Sequence, residues 1–548
     1  MMLCKYRRSQ FFGLAALGAL AFFVSTSAYA QKADDRVELI MEGLPPQGTP
    51  EYKALIGHAR DAKGHVLKLT KTEMWSVRRS RLEALKRAAA GMNVSVKVLD
   101  ESWNEVFQLM APTAPMDPKA ESMMDLAKQS KSTAGVGMMS AKSANMVEYA
   151  LTKGMDNMSA AKHPMTIKIA LNDKTTITAV RRDVIITTDA ITGDRCVWRG
   201  VVEGTEQPVT IMWWGTGRMT GTIYHGDRLY QLKHLGADMV GVVETIIDKM
   251  PDEHARTSPK RMQDMKMQQD TLFLHGDASA ARPKRTEIDN QKDDVVKGVR
   301  TGVQDPKLTK KAIESAAKAK NGRKGAPKII IDVMVVYTAK AAANYSDIDR
   351  DLIELSIAET NQSFRASKIE NVAVRLVHTH QTDYKEGGAE HIDHVWRMID
   401  KGDGFMEEIP KLRDEKKADI VILVVDDSQG CGLATRVAAD AEEAYAVVHH
   451  ECAASSYSIA HEIGHLIGAR HDRLLDKSEG PFPYGHGFIN TDLKWRTMMG
   501  YKTGCNGCPR LPIWSTPAKV VNGEAAGDER QNNARVIREQ ARRVASFR

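Results

Sequence analysis

The chain has 548 residues, 42% of them hydrophobic and 27% charged, and a formal net charge of +7. That composition is ordinary for globular protein, and the length exceeds what one core serves, so about three or four domain-sized pieces are expected. The region after Lys328 is acidic by about six charges, which leaves the basic excess in front of it, and no lysine–arginine stripe interleaved with aromatics points to nucleic acid.

The first 30 residues read as a signal peptide. Lys5, Arg7 and Arg8 precede an apolar run from Phe11 to Val24, and Ala28-Tyr29-Ala30 supplies a small-residue cleavage site before Gln31. Arg7-Arg8 hints at twin-arginine export, but the residues after it fit general secretion better. No later run is long enough for a membrane helix, so a secreted protein with no membrane span is expected after cleavage near Ala30. Cys4 leaves with the leader, and Cys196, Cys431, Cys452, Cys505 and Cys508 remain. In an oxidising compartment the last four suit two disulfides, and of the three connectivities Cys431–Cys452 with Cys505–Cys508 is favoured.

From 31 to 164 the sequence reads as charged helices and loops, with a helix over Trp75–Gly91 and recurring methionines including Met123, Met124, Met138 and Met139. From 165 to 250 the period changes to two. Thr166–Ala170, Thr176–Ala179, Asp183–Thr188, Cys196–Val202, Val209–Trp213, Met219–Tyr224 and Arg228–Leu232 alternate apolar and polar residues, as in an antiparallel meander or small sandwich. Residues 251–327 are polar and basic, an exposed linker suited to proteolytic processing.

The last domain, 328–548, opens on the buried-strand run Ile329–Tyr337. A long helix over Asp349–Phe364, a strand at Val372–Val377, helices at His391–Asp400 and Phe405–Lys416, and strands at Asp419–Val425 and Tyr445–His449 follow. The Tyr445–His449 strand is expected to be the edge along which an extended peptide pairs. His378/His380 and His391/His394 read as surface pairs that nothing completes into a metal site, and Asp426-Asp427 as a solvated loop with no support for calcium.

The stretch that organises the domain is His461-Glu-Ile-Gly-His-Leu-Ile-Gly-Ala-Arg-His-Asp472. Histidines four apart share one helix face, so His461 and His465 reach one ion from the same side. Glu462 is placed to take a proton from water, Gly468 lets the chain reverse, and His471 returns as a third ligand. Three protein ligands with one open position describe one catalytic Zn2+, not a structural one.

With that motif placed, the domain resembles the metzincin zinc peptidases. Arg496-Thr-Met-Met-Gly-Tyr501 looks like their Met-turn, with Met499 as the turn methionine beneath the imidazoles and Met498 as the adjacent alternative. The nearer resemblance is to the peptidyl-Asp metalloendopeptidases, secreted bacterial relatives of the reprolysins. It runs through Cys431-Gly-Leu-Ala, Val447-Val-His-His-Glu-Cys452, Pro483–Phe488 and Cys508–Ser515. The doubled Met498-Met499 and Gly500 depart from the family's pattern. The resemblance implies an α+β fold: a metzincin-type zincin domain with a twisted mixed sheet, long helices and an active-site helix, preceded by a β-rich prosegment domain.

It also implies a proenzyme of a zinc endopeptidase, with Glu462 as general base, Tyr501 as a candidate for oxyanion support, and the prosegment as intramolecular inhibitor. Protein or peptide substrates cut on the N-terminal side of Asp would need a cation in the pocket beyond the cut, with Arg470, Arg496 and Arg510 as candidates. Cys196, left over from four paired cysteines, is a candidate latency thiol. The rival readings are a reprolysin- or astacin-like endopeptidase of broad specificity, and an exported binding or adhesion protein with structural zinc.

Overall fold

In the computed structural model the described residues are 329–548 and, in the front half, 36–46, 48–58, 63–66, 72–99, 104–107, 109, 116–140, 166–189, 193–214, 218–236 and 239–254. The signal peptide and most of the processing region lie outside them.

The chain begins with β1 (Arg36–Glu42), α1 (Pro50–His58), β2 (Lys63–Val66), β3 (Thr72–Arg78), α2 (Arg79–Ala90) and β4 (Ser95–Leu99). The strands form a four-stranded antiparallel sheet in the order β2-β3-β1-β4. The reading of 31–164 as helices and loops therefore misses real strands. Trp75 belongs to β3, where it is buried with Leu39 and Tyr52, and the helix begins only at Arg79. Strands of four to seven residues offer too few positions for a period of two to stand out from a helical one.

Nine strands form the second unit: β5 (Asn104–Phe107), β6 (Thr133–Ser140), β7 (Thr166–Asn172), β8 (Thr175–Asp189), β9 (Gly193–Val202), β10 (Pro208–Trp214), β11 (Met219–His225), β12 (Arg228–Gly236) and β13 (Met239–Ile246). The meander from β7 to β13 is antiparallel, with β5 and β6 on its two edges, and an isolated bridge between Leu109 and Met139 joins those edges so that the sheet curls back on itself. The helix α3 (Pro118–Gln129) buries Met123 and Met124 against it. Strand alternation splits this sheet's side chains between two cores. Val209, Ile211 and Trp213 point inward, whereas Met212, Trp214 and Tyr224 face outward and join the core of the C-terminal domain.

That domain is α+β. Its sheet combines β14 (Ile329–Thr338), β15 (Val372–Thr382), β16 (Ile420–Val425), β17 (Gly432–Ala434) and β18 (Tyr445–His449) in the order β15-β14-β16-β18-β17. All pairings are parallel except β17 with β18. Every residue of β16 is buried, as expected for a parallel strand covered on both faces. On one face lie α4 (Leu355–Ala366), the site helix α7 (Ser458–Ile467) and α8 (Asn533–Val544); on the other lie α5 (His391–Ile399) and α6 (Glu408–Lys416).

Two expectations are corrected here. The edge is β17, which covers the β18 strand expected to be exposed; three residues are too few to announce a strand by periodicity. His391 and His394 are fully buried rather than superficial, because Asp427 lies 3.6 and 3.4 Å from their Nε2 atoms and Tyr384 OH is 2.7 Å from His394 Nδ1.

The front half docks on the C-terminal domain through buried polar pairs as well as apolar surface. Arg195 pairs with Glu354 at 2.5 Å, Arg218 with Asp351 at 2.6 Å, and Thr222 donates to Glu359 at 2.6 Å. Cationic residues of the basic half thus meet carboxylates of the acidic half.

Candidate metal centre

Helix α7 presents His461 and His465 on one face, and Gly468 ends it at φ +133°, in the region that favours glycine. A Cβ there would also lie 2.6 Å from the Phe482 ring. The reversal brings back His471, at the centre of the short strand Arg470–Asp472. The Nε2 atoms of His461, His465 and His471 stand 3.1 Å from one another. Their surroundings fix which ring nitrogen faces inward. His461 Nδ1 lies 2.9 Å from Met498 O and His465 Nδ1 2.8 Å from Ala469 O, so each donates there and turns a lone pair toward the others.

A fourth imidazole completes the cluster. His254, from the front half, has its Nε2 3.0 Å from that of His461 and 3.3 Å from those of His465 and His471. Burial, reinforced by neighbouring imidazoles, by Arg510 at His254 and His461 and by Arg470 at His465, drives these three histidines well below the ordinary range. Neutral rings with converging lone pairs repel unless a cation sits between them. Nitrogens ~2.0–2.1 Å from a tetrahedral zinc would be about 3.3 Å apart, close to the observed spacing, so the residues fit the metal.

Glu462 is buried beside this cluster, its Oε1 3.6 Å from His254 Nε2, and burial drives its pKa well up. Gly432 makes room for it: a Cβ there would stand 2.5 Å from Glu462 Oε1. Met499 is the methionine below, with its Sδ 3.2 Å from where a Cβ on Gly464 would lie, while Met498 contributes its carbonyl to His461. The Tyr501 ring lies 4.4 Å from that of His471, and its backbone N–H donates to Asp472 Oδ2, tying the Met-containing turn to the third histidine.

The segment leading to His254 lies in the cleft as an extended chain. Cys431 N–H donates to Asp252 O at 2.7 Å, and His254 bridges Gly432 in parallel, on the free edge of β17. Between them Glu253 is buried, with Oε1 2.7 Å from Arg496 Nη1, 3.0 Å from the Lys502 amide and 3.5 Å from Arg510 Nη2. Arg470, the third candidate cation, pairs instead with Asp476 at 2.7 Å.

The four remaining cysteines are joined as Cys431–Cys452 and Cys505–Cys508. The Cys196 expectation is corrected: the residue lies in β9, opposite Trp213 and Ile186 in the strand register, and its thiol is buried, which pushes it up to about 12. The histidine cluster does not include it. His254, Glu253 and Gly432 were missed by the sequence reading. His254 stood at the start of what reads as linker, where only its position just after the meander could have drawn notice. A second group with ligand atoms within 4.8 Å, Asp426, His449 and His450, lies beside β16 and β18.

A mixed α+β domain carrying three convergent imidazoles and a buried glutamate on one helix defines the class, a metallopeptidase domain. The model of metallo-peptidase family M12 (Reprolysin_5) matches residues 328–512. A peptidyl-Asp metalloendopeptidase from Stenotrophomonas maltophilia (strain R551-3) is 37% identical over 222 residues, 40% of this chain and 52% of that one. One from Xanthomonas campestris pv. campestris is 30% identical over 389 residues, 69% of this chain and 80% of that one. The chain thus spans about half the length of the first relative and about four fifths of the second. Among solved structures, "Structure of a chaperone-substrate complex" aligns at TM-score 0.33 and 22% identity over 41% of this chain and 35% of that one, too slight a likeness to add to the argument. This chain belongs to the reprolysin-like bacterial metallopeptidases of family M12.

Proposed function

We propose that the chain is the precursor of a secreted zinc endopeptidase whose latency rests on His254. The observation that carries this reading is the convergence of four imidazoles, three from the motif and one from a segment more than 200 residues earlier. His461, His465 and His471 would hold the ion permanently and His254 would fill the position that substrate needs. Zinc, when bound, supplies a Lewis acid that polarises a scissile carbonyl and activates water.

The chain's own residues do the rest. Glu462 takes the proton of the attacking water and passes it to the leaving amine; its buried carboxylate, with no hydrogen-bond partner for either oxygen among the described residues, is a strong base once ionised. The free edge of β17 orders a substrate strand by backbone hydrogen bonds, the substrate running antiparallel to it where Asp252–His254 runs parallel, so that a residue after the scissile bond reaches the Glu253 position. Met499 packs beneath the imidazoles, and Tyr501 is placed beside His471 to support the developing oxyanion. Residues 31–327 form the prosegment, with processing between 254 and 329. The relatives' name, peptidyl-Asp metalloendopeptidase, supports a preference for Asp at the cut, and we place that Asp on the C-terminal side of the scissile bond.

Against an adhesion protein with structural zinc stands Glu462, a buried carboxyl that a structural site has no reason to bury. Two variants test the reading. Glu462→Gln in the processed enzyme should retain zinc and lose casein-type cleavage by ~10²–10⁴-fold. His254→Ala in the full-length chain should change the visible spectrum of its cobalt-substituted form and relieve latency. Unchanged turnover in the first, or an unchanged spectrum in the second, would sink the corresponding role.

A further inference from the structure

The pocket around Glu253 is built for a carboxylate. Arg496 and Arg510 are both buried in it, at 3% and 1% exposure, so neither is a solvated surface charge. Arg496 is held rigidly, with Nε donating to Cys508 O and Nη1 to Gly500 O. Arg510 is anchored by a single hydrogen bond, Nη1 to Ser456 O at 2.6 Å. Its Nε and Nη2 make none among the described residues, although Nη2 comes within ion-pair distance of Glu253. Two guanidiniums and a backbone N–H facing one small volume would be costly to bury without an anion. In the precursor that anion is Glu253, one residue before the metal-facing His254.

We propose that Arg496, Arg510 and the Lys502 amide form the subsite that selects an acidic side chain in the substrate, and that Glu253 fills this subsite in the precursor. The proposal rests on the endopeptidase reading and adds two statements to it. The receptor is the Arg496–Arg510 pair, not Arg470, whose charge is neutralised by Asp476. And the precursor closes this receptor with its own Glu253 side chain. Among the described residues Glu253 Oε2 and Arg510 Nε have no hydrogen-bond partner and Arg510 Nη2 meets Glu253 only at ion-pair distance, so the prosegment's acid is held by charge more than by complete hydrogen bonding, which suits an occupant that must leave.

The test is a set of peptides differing only at the position after the scissile bond, as Asp, Glu, Asn or Gln, given to the processed enzyme and its Arg510→Met variant. Wild type should favour each acid over its amide by at least ~30-fold in kcat/KM, and Arg510→Met should bring both ratios to within about threefold. Acid-to-amide ratios that survive in Arg510→Met, or Glu peptides cut no better than Gln peptides by wild type, would overturn the assignment. Cleavage of none of the peptides or of casein by wild type would instead overturn the endopeptidase reading. Should Arg510→Met fail to fold, Glu253→Ala in the full-length chain decides: zinc release to a chromogenic chelator should quicken at least about tenfold, and an unchanged rate refutes Glu253 as occupant.

Discussion

Gly432 carries the sharpest mechanical prediction. Its missing side chain is the space in which the Glu462 carboxylate sits: an added Cβ would lie 2.5 Å from Oε1, 2.9 Å from Cδ and 3.0 Å from Cγ. Ordinary carbon–oxygen contact needs roughly another ångström. Helix α7 cannot supply it by retreating, because a Cβ on Gly464, on the helix's far side, would lie 2.6 Å from the Trp514 ring, so the helix already rests on that indole. Nor can β17 move outward freely, since Cys431 is tied to Cys452 and the strand is paired to β18. The displacement therefore falls on the Glu462 side chain. Gly432→Ala should cost roughly 1–3 kcal/mol of stability, and a base misplaced by about 1 Å should cost ~10²-fold in kcat. The assay is kcat/KM on a peptide alongside zinc content and thermal midpoint. A folded, zinc-replete Gly432→Ala enzyme within about threefold of wild type would refute the claim that this glycine positions the base.

The interface between the halves has its own signature in pH. Glu359 is raised from 4.5 to about 8, by burial first, against the opposing Thr222 hydrogen bond and Arg199 charge, and its neighbour Asp351 is also raised. A carboxyl favoured as neutral when buried stabilises the docked state fully below the exposed pKa, and that advantage is lost as pH climbs through about 8, so docking should weaken between roughly pH 4.5 and 8 by at most ~5 kcal/mol. Thermal midpoints across that window should fall more steeply for wild type than for Glu359→Gln; parallel curves would contradict the assignment. A single cut between 254 and 329 should leave the halves together and latent, because Met212, Trp214, Tyr224 and Met250 share one core with the C-terminal domain. Full activity on nicking, with no loss of the front half by gel filtration, would contradict that.

What could be read from the sequence follows from which interactions are local. His461 and His465 meet through one helical turn, and His471 returns through one glycine, so their geometry is written in spacing. The β14 and β16 runs announce themselves because parallel strands are buried on both faces. His254 reaches the same histidine cluster from 207 residues before His461, and no spacing rule spans that distance. Glu253 looked like one charge among many in a polar stretch; only its burial between two arginines gives it meaning. The β17 edge was hidden for a different reason. Three residues, one of them a glycine needed for room, carry no period at all.

If the chain is the proenzyme proposed above, latency and specificity share one physical device. An extended chain on the β17 edge should be a substrate, yet Asp252–His254 lies there beside Glu462. It escapes because an imidazole, not a peptide carbonyl, points at the motif histidines, and because His254 Nε2 stands only 3.6 Å from Glu462 Oε1, which leaves no space for water between base and metal position. Glu253 places that imidazole by anchoring the preceding residue in the arginine pocket. An acid in that pocket sets the register of whatever chain occupies the edge, so the residue beside it always faces the metal. In the precursor that residue is a ligand. In a substrate it would be the bond to be cut, and on that proposal the arginines that hold the precursor closed are the ones that choose what it cleaves.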